Sequence, residues 1–145
     1  MYEINNQVLI NAPIEQVWRV LTDFDRFHEW NPVIRGIEGD LAVGQQVVMT
    51  VDTPHGERQW NLRISRLDAG RELAWRFRER HPLLYRGEHT FWLGAIDEHT
   101  TRYIDRETFH GLLVSRRRHS LGTQTKAGMV AMGDALKRRA EQPAD

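Results

Sequence analysis

Two kinds of hydrophobic period divide the chain: a long central stretch that alternates every second residue, flanked on both sides by stretches of helical period. Between Val33 and His110 apolar residues recur at alternate positions in runs bounded by turn residues. Arg58–Leu67 sets Trp60, Leu62 and Ile64 on one face and Gln59, Asn61, Arg63 and Ser65 on the other. Arg71–Arg80 alternates Leu73, Trp75 and Phe77 with Glu72, Arg76 and Arg78. Leu83–Ile96 puts Tyr85, His89, Phe91 and Leu93 in phase, and Thr101–His110 returns with Tyr103, Asp105, Glu107 and Phe109. Successive strand side chains point to opposite faces, so each run predicts a strand with one buried face. Tyr2–Ile10, Val33–Glu38 and Gln45–Val51 complete a set of seven. Tight turns between neighbours imply an antiparallel meander, apolar inside and polar outside.

The helical stretches are shorter at the front than at the back. Asn11 stands at an expected N-cap and Pro13 near the first position of a helix Pro13–Leu21, with Ile14, Val17, Trp18 and Leu21 on one side. Asp23 is expected to cap a second short helix bearing Phe24, Phe27 and Trp30. Asn31-Pro32 ends it, because the residue before proline is pushed out of the α region. Ser115–Glu141 contains no proline, and 100° per residue brings Leu121, Thr125, Gly128, Met129, Met132, Ala135 and Leu136 to one face. Gly122, Gly128 and Gly133 each cost roughly 1 kcal/mol relative to Ala in a helix interior. Either something approaches this helix closely or it borders open space, and the expectation is a cavity under its N-terminal half, around Leu121, Gln124, Thr125 and Gly128. A sheet with one apolar face must bury it, and this helix is the large element available. The fold class is therefore α+β.

Composition narrows the function without choosing it. Lys plus Arg is 20 and Asp plus Glu is 20, so net charge offers no argument for nucleic acid or an anionic membrane. Cysteine is absent, which excludes disulfides, thiolate nucleophiles and Cys-bound metals. No apolar run approaches the ~18 residues of a spanning helix and no signal-peptide pattern opens the chain, so a cytoplasmic location and no stable membrane insertion are expected. One domain over residues 1–141, with a frayed tail at 142–145, fits the length.

Several motifs carry a family likeness. The stretch 9–34, LINAPIEQVWRVLTDFDRFHEWNPVI, and above all Trp30-Asn31-Pro32, resembles the opening of the SRPBCC or START-like superfamily in its polyketide cyclase/dehydrase branch. Residues 87–111 resemble that branch's penultimate hairpin, and Ala135-Leu136-Lys137 with Ala140-Glu141 its last helix. The resemblance implies a helix-grip fold, a curved seven-stranded antiparallel sheet wrapped around a long C-terminal helix, with two short helices after the first strand and an internal cavity. The family spans cyclases, lipid-transfer domains and binders, and fold does not choose among them. In one place the chain departs from the pattern. After Leu112-Leu113-Val114, where the branch is usually apolar, it carries Arg116-Arg117-Arg118-His119.

The candidate chemistry centres on His89 and Glu107, ionisable groups in phase with inward apolar residues. A register pairing residue i with 196−i sets His89 opposite Glu107 and Phe91 opposite Asp105, within cross-strand reach. They read either as an acid/base couple or ligand anchor, with Asp105 adding a second inward carboxylate, or as a buried ion pair kept for stability. Trp60, Trp75, Phe77, Tyr85, Phe91 and Tyr103 are expected to wall the cavity, or to fill the core. Trp30 and Arg116, Arg117 and Arg118 are assigned to its portal, the arginines drawing an anionic group. No ligand spacing supports a metal, and no cofactor motif is present. Two functions stay open. One is a binding or carrier protein for a small hydrophobic or amphipathic molecule; the other is a cyclase/dehydratase-type enzyme using His89 and Glu107. A protein–protein regulatory module is a further alternative. Both leading readings need a cavity of about 300 Å³ or more. Monomer and homodimer are both open, with edge pairing expected at Val33–Glu38 or Gln45–Val51.

Overall fold

A computed structural model describes residues 1–78, 80–81 and 83–143. Seven strands, β1 (Tyr2–Ile10), β2 (Ile34–Glu38), β3 (Gln46–Thr53), β4 (Gly56–Asp68), β5 (Glu72–Arg78), β6 (Arg86–Asp97) and β7 (Thr100–His110), form one sheet ordered β1-β7-β6-β5-β4-β3-β2. Every neighbouring pair is antiparallel. The meander therefore runs from β2 to β7, and β1 joins it beside β7. Helix α1 (Ile14–Thr22) and a 3₁₀-helix (Phe24–Glu29) follow β1, and helix α2 (Val114–Glu141) closes the chain. The helix-grip arrangement expected from the sequence is the one observed. Of the two expected edge strands only β2 is an edge; β3 lies between β2 and β4. Of the expected spans, Glu79 in Arg71–Arg80 and Ala144 and Asp145 in the frayed tail lie outside the described residues.

The helix starts differ from the sequence reading. Pro13, not Asn11, is the N-cap residue of α1, and no side chain caps it. The Asn11 amide instead donates to the Glu141 carboxylate at 2.8 Å, tying β1 to the end of α2. Asp23 does precede the 3₁₀-helix but makes no capping bond. Asn31 carries the local logic of the Trp-Asn-Pro stretch. Its side-chain oxygen accepts the N–H groups of Val33 and Ile34 at 2.9 and 2.8 Å, which turns the chain from the 3₁₀-helix into β2.

Two apolar clusters grip α2 at different heights. In the larger, Met132, Leu136 and Ala140 pack with Ile10, Val17, Leu21, Phe27 and Trp75. Polar bonds reinforce that end, Lys137 Nζ donating to Leu9 O at 3.0 Å and Arg139 pairing with Glu29 at 2.9 Å. The smaller cluster joins Met129 and Val114 to Ile4, Tyr85 and Phe109, with Tyr2, Phe77 and Leu121 against it. The three glycines of α2 divide by role. A Cβ on Gly133 would lie 2.9 Å from Val8 Cγ2, and one on Gly122 2.5 Å from the Tyr2 hydroxyl, so both permit close approach. A Cβ on Gly128 would meet only Val33, at 3.7 Å, so this glycine leaves space. Among the described residues no helix is long and apolar enough to cross a membrane.

Opposite outcomes follow for two of these glycines. Gly128→Ala should raise stability by up to about 1 kcal/mol through helix propensity. Gly133→Val should lower it by roughly 1–3 kcal/mol through overpacking against Val8. Urea unfolding midpoints of the two variants test the division; equal shifts would contradict it.

Candidate functional site

The site begins with the hairpin of β6 and β7. Its register sets His89 opposite Glu107 and Phe91 opposite Asp105, as the turn position predicts. The imidazole does not face its direct partner most closely, because a ring of this length reaches the diagonal neighbour. Its Nε2 makes a short hydrogen bond with the Asp105 carboxylate, while Nδ1 stands 3.8 Å from Glu107 Oε2. The expected His89–Glu107 couple is thus a three-member row whose tight contact is His89–Asp105. Tyr103 lengthens the row, its hydroxyl donating to the second Asp105 oxygen at 3.3 Å. Behind it the His89 ring stacks on Phe91 at 4.3 Å and meets Trp75 edge-on at 5.7 Å.

Burial sets the electrostatics of this row. Asp105 is fully buried, and an unpaired carboxylate there would be costly, so His89 serves as its countercharge. Burial by itself lowers the His89 pKa, but the charges of Asp105 and Glu107 and the Asp105 hydrogen bond outweigh it and raise the pKa to about 9. His89 is therefore an imidazolium at neutral pH. Glu107 is raised above the usual carboxylate value, chiefly by burial, with His89 pulling it down and Asp105 pushing it up. The Tyr103 phenol rises well above its usual value through burial and the nearby Asp105 charge. Both imidazole nitrogens face carboxylates, which leaves neither as a metal ligand, and among the described residues no His, Asp and Glu group is arranged to hold one.

Above the row lies a pocket of about 260 Å³. His89, Asp105 and Glu107 line one side of it, with only 15% of the His89 side chain and 14% of the Glu107 side chain exposed. Val33 and Ile34 at the start of β2 and Met49 and Val51 on β3 form an apolar wall. Gln124, Thr125, Gly128, Met129 and Met132 of α2 cover it. The volume falls short of the roughly 300 Å³ that both leading readings were expected to need, so neither holds for a ligand enclosed whole. A large molecule is not swallowed whole here. The space suits a ring-sized group, or one end of a longer molecule that leaves by the open side.

Only part of the expected lining is brought together. His89, Asp105, Glu107, Gln124, Thr125 and Gly128 meet at the pocket. Trp75, Phe91 and Tyr103 are fully buried and support the row from behind, so they are core rather than wall. Trp60 packs half-buried on the larger cluster, and Phe77, Tyr85 and Leu121 belong with the smaller one. None of the expected portal residues lines the pocket. Trp30 packs on Phe27 at 5.1 Å and borders a separate groove with Arg139. Arg116 and Arg118 border a surface depression beside Tyr2, and the Arg117 and Arg118 guanidiniums lie over the rings of Tyr85 and Tyr2 at 5.3 and 4.9 Å. The sequence reading missed Val33, Ile34, Met49 and Val51 as pocket wall. The alternation at Val47, Met49 and Val51 marked an inward face, but only tertiary curvature decides that this strand faces α2 across open space. A larger depression of about 660 Å³ lies on the polar face of the sheet among Arg63, Arg76, Arg78 and Arg86. There Glu88 pairs with Arg76 at 2.8 Å and Arg66 at 3.4 Å, a solvated ion-pair surface remote from the buried row.

The family model described as polyketide cyclase/dehydrase and lipid transport matches residues 1–141. The fold matches the Zhui aromatase/cyclase from Streptomyces sp. R1128 with a TM-score of 0.80 at 22% identity, covering 97% of this chain and 93% of that one. Protein MLL2253 from Mesorhizobium loti matches with a TM-score of 0.76 at 19% identity over 99% of this chain and 100% of that one. The di-domain aromatase/cyclase BexL of the BE-7585A biosynthetic pathway gives a TM-score of 0.79 at 11% identity, covering 98% of this chain, which spans 48% of BexL. At these identities the likeness is one of fold. None of the curated proteins compared is significantly similar in sequence.

The buried row should make stability depend on pH with a definite sign. The folded His89 pKa of about 9 lies above its ordinary 6.5, so its contribution is full below about pH 6.5 and is lost as pH rises through about 9. The melting temperature should therefore fall between those pH values. His89→Gln, which leaves Asp105 without its countercharge, should cost on the order of 3 kcal/mol at pH 6 and flatten the profile. Thermal melts across pH check this, and the double variant His89→Gln with Asp105→Asn should recover part of the loss.

Proposed function

The chain belongs to the polyketide cyclase/dehydrase and lipid transport family, and within it we propose a binding or carrier role for a small amphipathic molecule held under α2. One observation carries the reading: small and polar residues of α2, Gln124, Thr125 and Gly128, stand over an apolar recess that ends on a buried, charged row. Pockets with an apolar lining and a few fixed polar groups are what small-molecule sites look like. The apolar part of the ligand lies among Val33, Val51, Met49 and Met129, and its polar end meets Glu107. Methionine side chains adapt to irregular shapes, which suits a pocket of this size.

The charge of the lining favours a ligand that donates hydrogen bonds or carries positive charge. No lysine or arginine lines the recess, and the one cation, His89, already faces Asp105 and Glu107 through both ring nitrogens. Glu107 is the group left to receive a donor. An anionic head group, as the arginine cluster suggests from sequence alone, finds no partner here. The second reading, a cyclase- or dehydratase-type enzyme, gains from one feature. A carboxyl with a raised pKa at a pocket wall is suited to move a proton, and Glu107 is such a group. His89, protonated at neutral pH, is not available as a base, so proton transfer in that reading falls to Glu107.

Paired probes of one shape and opposite charge test the proposal. Phenethylamine should bind at least about tenfold more tightly than phenylacetate at pH 7 by calorimetry, and Glu107→Gln should abolish the preference. Gly128→Phe should block both. Native mass spectrometry of protein from its own cells should show a bound small molecule that Gly128→Phe removes. Equal affinity for the two probes would contradict the donor preference, and no binding of any kind would contradict the carrier reading.

A further inference from the structure

A second surface lies at the N-terminal end of α2, apart from the pocket. There the chain segment before β6 and the turn after β7 are held together by two backbone bonds, Leu112 N–H to Leu83 O and Leu113 N–H to Leu84 O, both 3.0 Å. Gly111 makes this possible. Its φ is +127°, and a Cβ there would fall 2.3 Å from Leu84 O. What this fixed double turn presents is apolar: Leu112 is 75% exposed, Leu83 63% and Leu84 37%. Leucines this exposed and this close together are not needed for the core, which has Tyr85, Phe109 and Val114 immediately beneath.

The surroundings of the tip are cationic. Arg80, Arg116, Arg117 and Arg118 are all exposed, with His81 and His119 beside them. No acidic residue occurs between Glu107 and Asp134, although the chain as a whole is balanced at 20 and 20. The first turn of α2 has no acid and no side-chain cap. Cations at a helix N-terminus oppose the helix dipole, so this charge is placed against the interest of the helix itself. Protruding leucines followed within one to two helical turns by exposed arginines, Arg118 over the Tyr2 ring, match the interface of an anionic bilayer, where apolar side chains enter the acyl boundary and cations meet phosphates. A second copy of the chain is a poorer partner, since the two sets of arginines would repel.

We propose that this tip is a membrane-docking surface, with Leu83, Leu84 and Leu112 entering the interface of an anionic bilayer and Arg80, Arg116 and Arg118 engaging lipid phosphates. The protein lies on the bilayer and does not span it. Docked this way, Gln124 at the pocket lies about 15 Å along α2 from the tip, at ~1.5 Å per residue. The inference does not depend on the identity of the pocket ligand.

Flotation with vesicles tests it. The protein should bind vesicles of mixed phosphatidylglycerol and phosphatidylcholine at low salt, release at high salt, and ignore pure phosphatidylcholine. Leu112→Glu should weaken binding about tenfold or more, and the pair Arg116→Gln with Arg118→Gln about fivefold or more. Both changes are at exposed positions, and unchanged melting temperatures confirm folding. Leu112→Trp should show a blue-shifted emission on the anionic vesicles. Undiminished vesicle binding by Leu112→Glu would overturn the proposal. So would binding to soluble heparin without any to vesicles, or a concentration-dependent dimer in sedimentation velocity that Leu112→Glu abolishes.

Discussion

Helix α2 closes the sheet at its two ends, through Val114 at its start and Met129, Met132, Leu136 and Ala140 further along, and everything of interest follows from what it fails to touch between Val114 and Met129. Met132, Leu136 and Ala140 complete the larger cluster, while Val114 and Met129 complete the smaller one. A helix with an unbroken apolar stripe would seal the interval. This one sets Gln124, Thr125 and Gly128 there, and the interval stays open as the pocket. Close contact at Gly133 and Gly122 draws the helix down on either side of Gly128, so the glycine at the gap and the glycines at the grips have opposite consequences. The helix propensity lost at all three, roughly 1 kcal/mol each, is matched by close approach of a neighbour at two of them and by open space at the third.

The buried row is the second constraint, and it explains why the pocket is polar on one side only. Asp105 sits in the middle of β7, one strand in from the β1 edge of the sheet, with no exposed surface. Holding a carboxylate there requires a countercharge and a donor, and His89 and Tyr103 supply them. Once His89 is committed in this way its proton is locked by the same charges that keep Asp105 satisfied. Glu107 then stands at the edge of a satisfied network, close enough to His89 to be held and exposed enough to meet another molecule. On the proposed function, a stabilising network and a recognition group are consecutive members of one row, Asp105 answering to the fold and Glu107 to the pocket.

The fold was legible because the period-two alternation survives unbroken through β4 to β7, and because the turn after β6 fixes the register that brings His89 level with Glu107. The family likeness reached the helix-grip arrangement from independent residues. The wall was less legible for a definite reason. Inward phase says that Trp75, Phe91 and Met49 face the same side, but not that the sheet curls so that the first two meet packed side chains and the third meets space. Asn11 misled because a good N-cap residue was used for its backbone N–H instead of its side chain. The arginine cluster stands out in the sequence, but it does not line the pocket as its expected portal. Position along the helix decides this: Arg116 and Arg118 lie about two turns before Gln124 and turn toward Tyr2, away from the recess.

A balanced composition concealed a polar division of charge. Inside, two carboxylates share one imidazolium, and the recess they line has no other cation. Outside, the arginines at the start of α2 have no acid near them in sequence and follow directly on the exposed Leu112. Net charge averages these two regions to zero and so reports neither. The same helix carries both, its first turns cationic at the tip and its middle turns covering the row of His89, Asp105 and Glu107. The two regions lie at different positions along α2, the arginines at its first turns and Gln124, Thr125 and Gly128 further on. The proposed surface for an anionic bilayer and the proposed pocket for a hydrogen-bond donor are compatible demands on a single helix because they fall at different heights along it.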